Sequence, residues 1–172
     1  MRPAAERAAG EPPTGFGPVT VDDDQDDWPV DVTRWHDLAV TVLADLGVAS
    51  EAELSLIFVT AAAMAELNVA HMGQAGPTDV LSFPMDDDAT TSVAGPPPML
   101  GDIVICPEVA AENAPDHAGS YDDEMALLIV HGLLHLLGMD HAGDDERVAM
   151  QARERDLLAR FYGPLARNPW SA

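Results

Sequence analysis

A chain of 172 residues is the length of one ordinary domain, and with 47% hydrophobic residues it can build a core. Thirty acidic residues face eight basic ones, all arginine, giving a formal charge of −22. Such a molecule repels phosphate, so a nucleic-acid partner would have to be held by a local basic patch, a metal or another protein, and not by the overall field. The single cysteine, Cys106, excludes an internal disulfide and fits a reducing compartment. No run of about 18 apolar residues and no signal-peptide core is present, which excludes a membrane span and points to the cytoplasm.

Residues 1–15 are rich in Ala, Pro, Gly and charge without periodicity and read as a disordered tail. PVTVD, residues 18–22, fits a short first strand, and DDDQDDWP after it is an acidic turn without the glycine and distal glutamate of a calcium loop. From Asp31, an N-cap residue, Val32, Trp35, Leu38, Ala39, Val42 and Leu43 recur at helical spacing up to Gly47, with His36 expected on the surface of that helix. LSLIFVT, residues 54–60, reads as a buried strand whose Thr60 caps a short helix through Asn68. A loop, a strand over Val80 to Phe83, a long polar connection and a strand over Leu100 to Cys106 follow. Cys106 has no basic neighbour in sequence and reads as a small buried hydrophobe. Pro107 to Asn113 starts a helix, His117 falls in a loop, and Asp144 to Tyr162 has the pattern of a final amphipathic helix on which Val148, Met150, Leu157, Leu158 and Phe161 are the apolar residues.

Between them lies HGLLHLLGMDH, residues 131–141, at the end of the most hydrophobic run in the chain. Met125 to Leu137 is apolar all round apart from His131, Gly132 and His135, so a helix there is buried and takes both imidazoles with it. Four residues apart, the two project from one face about one turn, or roughly 5.4 Å, from each other. Gly138 supplies the residue that most readily ends a helix, and the chain can then return His141 to the same point. Three imidazoles leave one tetrahedral position open, as in a catalytic zinc site. The spacing matches HExxHxxGxxH of the metzincin proteases except at Gly132, where those enzymes carry the glutamate that serves as base.

The motif is similar to the HGxLHLxGyDH signature of the YbeY family of bacterial metal-dependent endoribonucleases. PTDVLSFP (residues 77–84) and GDIV (residues 101–104) resemble that family's two upstream blocks, and the resemblance runs over roughly residues 17–162. It implies a cytoplasmic enzyme with one Zn2+ per chain held by His131, His135 and His141. The substrate would be single-stranded RNA, with roles in maturing the 3′ end of small-subunit ribosomal RNA and in ribosome quality control. Its partners would be ribosomal RNA and the ribosome, with help from a ribosomal or assembly protein, and neither DNA nor membrane. The domain reading is a tail over 1–15, one catalytic domain over 16–165 and a short C-terminal tail over 166–172.

The expected fold is α+β: a small mixed sheet packed with helices, zincin-like, with the metal site on a buried central helix. Asp140, beside the third histidine, is a candidate base or a partner of a ligand, and equally a cap for the turn after Gly138. Family members carry a functional arginine at the position of Met72, which here is only a candidate cleft wall. From 35 to 146 the chain has no cation of that kind, so Arg147, Arg153 or Arg155 would have to approach the cleft, with Arg147 the substrate-binding candidate. Two other readings stand beside the nuclease: a zinc hydrolase of another substrate class, including peptides, and a ribosome assembly factor with a structural zinc.

Overall fold

The computed structural model of the protein describes residues 19–85 and 97–171, so the reading of residues 1–15 as a tail and most of the long connection after Pro84 fall outside it. Ten elements follow one another: β1 (Val19–Asp23), α1 (Val32–Asp45), β2 (Glu53–Phe58), α2 (Ala61–Met72), β3 (Val80–Pro84), β4 (Met99–Ile105), α3 (Pro107–Asn113), a 3-10 turn (Ala114–Asp116), α4 (Tyr121–Leu136) and α5 (Asp144–Phe161). The four strands make one mixed sheet in the order β1-β2-β4-β3, with β1, β2 and β4 parallel and β3 antiparallel to β4. An α+β domain is therefore what the chain builds.

Local chemistry accounts for the boundaries. Asp31 and Thr60 accept the N–H groups of Arg34 and Ala63 and cap α1 and α2, and Ser120 accepts that of Asp123 at the start of α4. Helix α2 runs four residues past Asn68 and stops where Gly73 takes a left-handed conformation. Asp79 starts β3 by accepting the N–H of Val80, while its carbonyl accepts the N–H of Cys106.

The sheet separates two cores. Leu54, Leu56 and Phe58 of β2 and Ile103 and Ile105 of β4 point to the side covered by α1, α4 and α5. Val104, Cys106 and Leu81 point to the other side, where Met64 of α2 packs on them. This alternation is the strand period of two seen from both faces. Cys106 is buried, and burial pushes its thiol above the ordinary range, as suits an inert core residue.

Helix α4 is the centre of the larger core, with twelve of its sixteen residues buried. Gly132 explains how it lies so close to the sheet: a Cβ there would stand 2.9 Å from Ile103 Cγ2. Gly101 fills the same role between strands, since a Cβ on it would meet Phe83 O at 2.0 Å, and its φ of +133° is one that side chains disfavour.

Two acidic residues in the first turn of α4 are also buried. Glu124 accepts the N–H of Ala118 and lies 2.8 Å from His117 Nδ1. Asp123 accepts the hydroxyl of Tyr162 and the N–H of Ala166. Residues 166–171, set apart as a tail in the sequence, are thus fastened along the domain, and Arg167 N–H adds a bond to Ala118 O. Among the described residues no helix is long and apolar enough to cross a membrane.

Candidate metal centre

Helix α4 presents His131 and His135 from one face at its C-terminal end, with their Nε2 atoms 3.0 Å apart. Gly138, at φ 92°, turns the chain back, and His141 joins them so that one ring nitrogen of each residue lies within 4.8 Å of the others. Nitrogens at ordinary Zn–N distances from one tetrahedral ion stand roughly 3.3 Å apart, so the pair on α4 is already at ligand spacing. Burial is the main cause that lowers the pKa of His135, followed by the neighbouring His131 and His141, and this favours the neutral imidazole that a metal requires.

Glu154 orients the first of these imidazoles. Its side chain is 5% exposed; Oε1 bonds His131 Nδ1 and Oε2 accepts the indole N–H of Trp170 at 2.9 Å. An ionised carboxylate only accepts, so Nδ1 carries the proton and Nε2 turns its lone pair toward the other imidazoles. This carboxylate–histidine arrangement is one that metal sites use to fix a ligand's tautomer. The donor set therefore fits a metal ion: three convergent imidazoles, one held by a buried acid.

Two cavities meet at this point. A cleft of about 520 Å³ runs along β3 and carries His135, Met72, Ser82 and Asp140 on its walls. A second of about 300 Å³ lies between α4, α5 and the C-terminal segment, lined by Leu128, Met150, Arg147 and Trp170 among others. Asp79, Val80, His131 and His141 line both.

The remaining residues named from sequence fall around this centre. Met72, 51% exposed at the end of α2, is cleft wall. Asp140 Oδ1 accepts the N–H of His141 at 2.7 Å and so caps the turn that carries the third imidazole, while the residue also lines the cleft. Arg147 lines the smaller cavity and pairs with exposed Asp144. Arg155 instead covers the Trp170 ring at 4.9 Å. Val148, counted with the apolar residues of α5, is 62% exposed.

Sequence inspection missed Glu154 and Trp170. Glu154 sits in the charged run RERD, residues 153–156, that reads as a solvated face, yet it shares a helical stripe with Met150 and Leu157, both buried. An acid on the apolar stripe of a helix must have a buried partner, and that was the available signal.

Comparison with known proteins shows the family of the chain. The profile of the family described as Endoribonuclease YbeY matches residues 20–162. Endoribonuclease YbeY of Beutenbergia cavernae is 48% identical over 138 residues, 77% of this chain and 89% of that protein. That of Frankia casuarinae is 47% identical over 139 residues, 78% of this chain and 69% of that one. The solution structure of a Thermotoga maritima protein has the same fold, with a TM-score of 0.60 at 24% identity over 84% of this chain and 89% of the other. Identity near one half over most of the chain, with a profile match running from β1 to the end of α5, shows that the chain belongs to the endoribonuclease YbeY family.

Proposed function

We propose that the protein is a zinc-dependent endoribonuclease of the cytoplasm that cuts single-stranded RNA. Its role is in ribosomal RNA processing, including 3′-end maturation of small-subunit RNA and ribosome quality control, with the ribosome or an assembly protein helping to present the substrate. Family membership supports the nuclease class. The observation that carries the reading is the convergence of His131, His135 and His141 at the divide between two cavities, with a buried acid behind one of them.

His131, His135 and His141 are the residues that would hold the ion. Zinc in a site of this kind supplies Lewis acidity toward a phosphoryl oxygen and toward water. Glu154 keeps the Nδ1 proton of His131 in place, so that Nε2 stays a donor of electrons. Asp140, which lines the cleft and has one oxygen bonded to His141 N–H, is the proton acceptor we assign. Met72 shapes the wall of the cleft, and Arg147 is the cation for a substrate phosphate.

A metallopeptidase reading has less support, because the place of its glutamate is taken by Gly132, where even a Cβ would press on Ile103. A purely structural zinc is closed by four protein ligands, and this trio faces open cavities. Metal analysis of protein purified without chelator, paired with cleavage of a ribosomal precursor RNA, tests the proposal. About one zinc per chain and endonucleolytic products are expected. A zinc content near zero, or intact RNA with the loaded protein, would sink it.

A further inference from the structure

An endonuclease must hold the strand on both sides of the bond it cuts, and here a separate cavity lies on each side of the His131–His141 divide. From this arrangement, and resting on the endoribonuclease reading, we infer that the smaller cavity is a nucleobase subsite: it seats the base of one nucleotide flanking the scissile phosphate, with Arg147 on a phosphate.

Its size suits one such group, since about 300 Å³ is at the lower end of small-ligand pockets. Its floor is apolar, from Leu127, Leu128 and Met150, all at most 4% exposed. Trp170 forms an aromatic wall, and base stacking on aromatic rings is the sequence-tolerant way to hold single strands. That wall is fixed in place: the indole N–H is bonded to Glu154, and the chain leading to it is fastened by Ala166 N–H to Asp123 and Arg167 N–H to Ala118 O. Gly119 makes room for this docking, because a Cβ there would stand 2.6 Å from that of Ala166.

The charges in the cavity favour the same occupant. Glu154 has both oxygens engaged, and Asp79 Oδ1 accepts the N–H of Val80. Among the described residues Arg147 is the one arginine lining the cavity, and its partner Asp144 has a side chain 89% exposed. Surface pairs of that kind are weak, so the guanidinium can exchange Asp144 for a phosphate. The base contact would also supply affinity that an acidic protein cannot obtain from counterion release.

The test is calorimetric binding of adenosine 5′-monophosphate and of ribose 5-phosphate to the zinc-loaded full chain, with Gln151→Trp, which fills the cavity from α5, as the variant. The nucleotide should bind about tenfold or more tightly than the sugar phosphate, and Gln151→Trp should remove that difference while zinc content and thermal stability hold. Equal binding of the two ligands, or full nucleotide affinity in the variant, would overturn the subsite. A second arm scans a single abasic position through a cleaved RNA, and KM should rise about tenfold at one position beside the cut. RNA cleaved with every abasic position tolerated sinks the subsite and leaves the nuclease standing. Nucleotide bound in the cavity with no RNA cleaved sinks the nuclease and leaves the subsite.

Discussion

Glu154 on α5 and His131 on α4, 23 positions apart in sequence, share a hydrogen bond that places a buried carboxylate directly behind an imidazole of the candidate metal centre. Removing such a partner typically costs 10–100-fold in metal affinity. Glu154→Ala should therefore weaken zinc binding by about that range, and Glu154→Gln, which keeps an acceptor without the charge, by less. Competition with a chromophoric chelator measures both. Unchanged affinity in Glu154→Ala would mean that packing alone orients the ring.

Glycine positions should separate by what stands in the way. At Gly132 the obstacle is the Ile103 side chain at 2.9 Å, so Gly132→Ala gains helix propensity but overpacks the core. A net loss of about 1–2 kcal/mol in denaturant unfolding is expected. Ile103→Val removes the Cδ1 atom at 3.2 Å and should recover part of it. At Gly101 the obstacle is the Phe83 backbone, which cannot step aside, so Gly101→Ala should be the more damaging change. The reverse ranking would contradict the close approach of β3 and β4.

The chain has two tyrosines, and both hold their protons more tightly when folded. Burial, then the charge of Asp122, pushes Tyr121 to about 12. Burial, then the bond to Asp123, moves Tyr162 in the same direction. Above the ordinary value of 10.0 the unfolded chain releases protons that the folded one keeps. The tyrosines' contribution to stability should therefore be constant below that pH and be lost as pH rises through the window from 10.0 to about 12. Tyrosinate absorbance should rise only together with loss of helical circular dichroism. Tyrosinate formation in a fully folded protein at pH 10 would count against both assignments.

Met72 stands on the wall of the cleft that contains all three histidines, where relatives are expected to carry an arginine. Met72→Arg would give the cleft a cation able to hold a phosphate oxygen and stabilise charge developing there. An unsupported new side chain delivers only part of a fitted donor's effect, so about a tenfold faster cleavage of single-stranded RNA at low salt is expected, with zinc content unchanged. No acceleration, combined with loss of activity in Arg147→Ala, would leave the phosphate to Arg147 on α5 and make Met72 cleft wall only.

The elements were legible because their signals are local. Asp31, Thr60 and Gly138 mark helix ends by their own chemistry, and the spacing of the three histidines alone marked them as candidates that the fold brings together. Strand order was not legible: nothing in VLSFP states that it lies at the sheet edge, antiparallel to its neighbour. Pairings of that kind are decided by packing between distant segments. The same holds for Asp123 and Glu124, which look like ordinary acids at a helix N-terminus yet are buried, one accepting from Tyr162 and Ala166 and the other from Ala118. Trp170 reads as part of a tail until its partner Glu154 is located.

The contact of Gly132 with Ile103 also has a mechanical meaning. A helix seated so closely on a strand cannot roll about its axis without driving its backbone into a fully buried isoleucine, and His131 and His135 lie on either side of that pivot. Their common bearing toward the cleft is thus set by the sheet, with or without an ion. Metal uptake then resembles a key entering a cut lock: little conformational entropy remains to be lost, and amide exchange along α4 should be nearly as slow in the metal-free protein as in the loaded one.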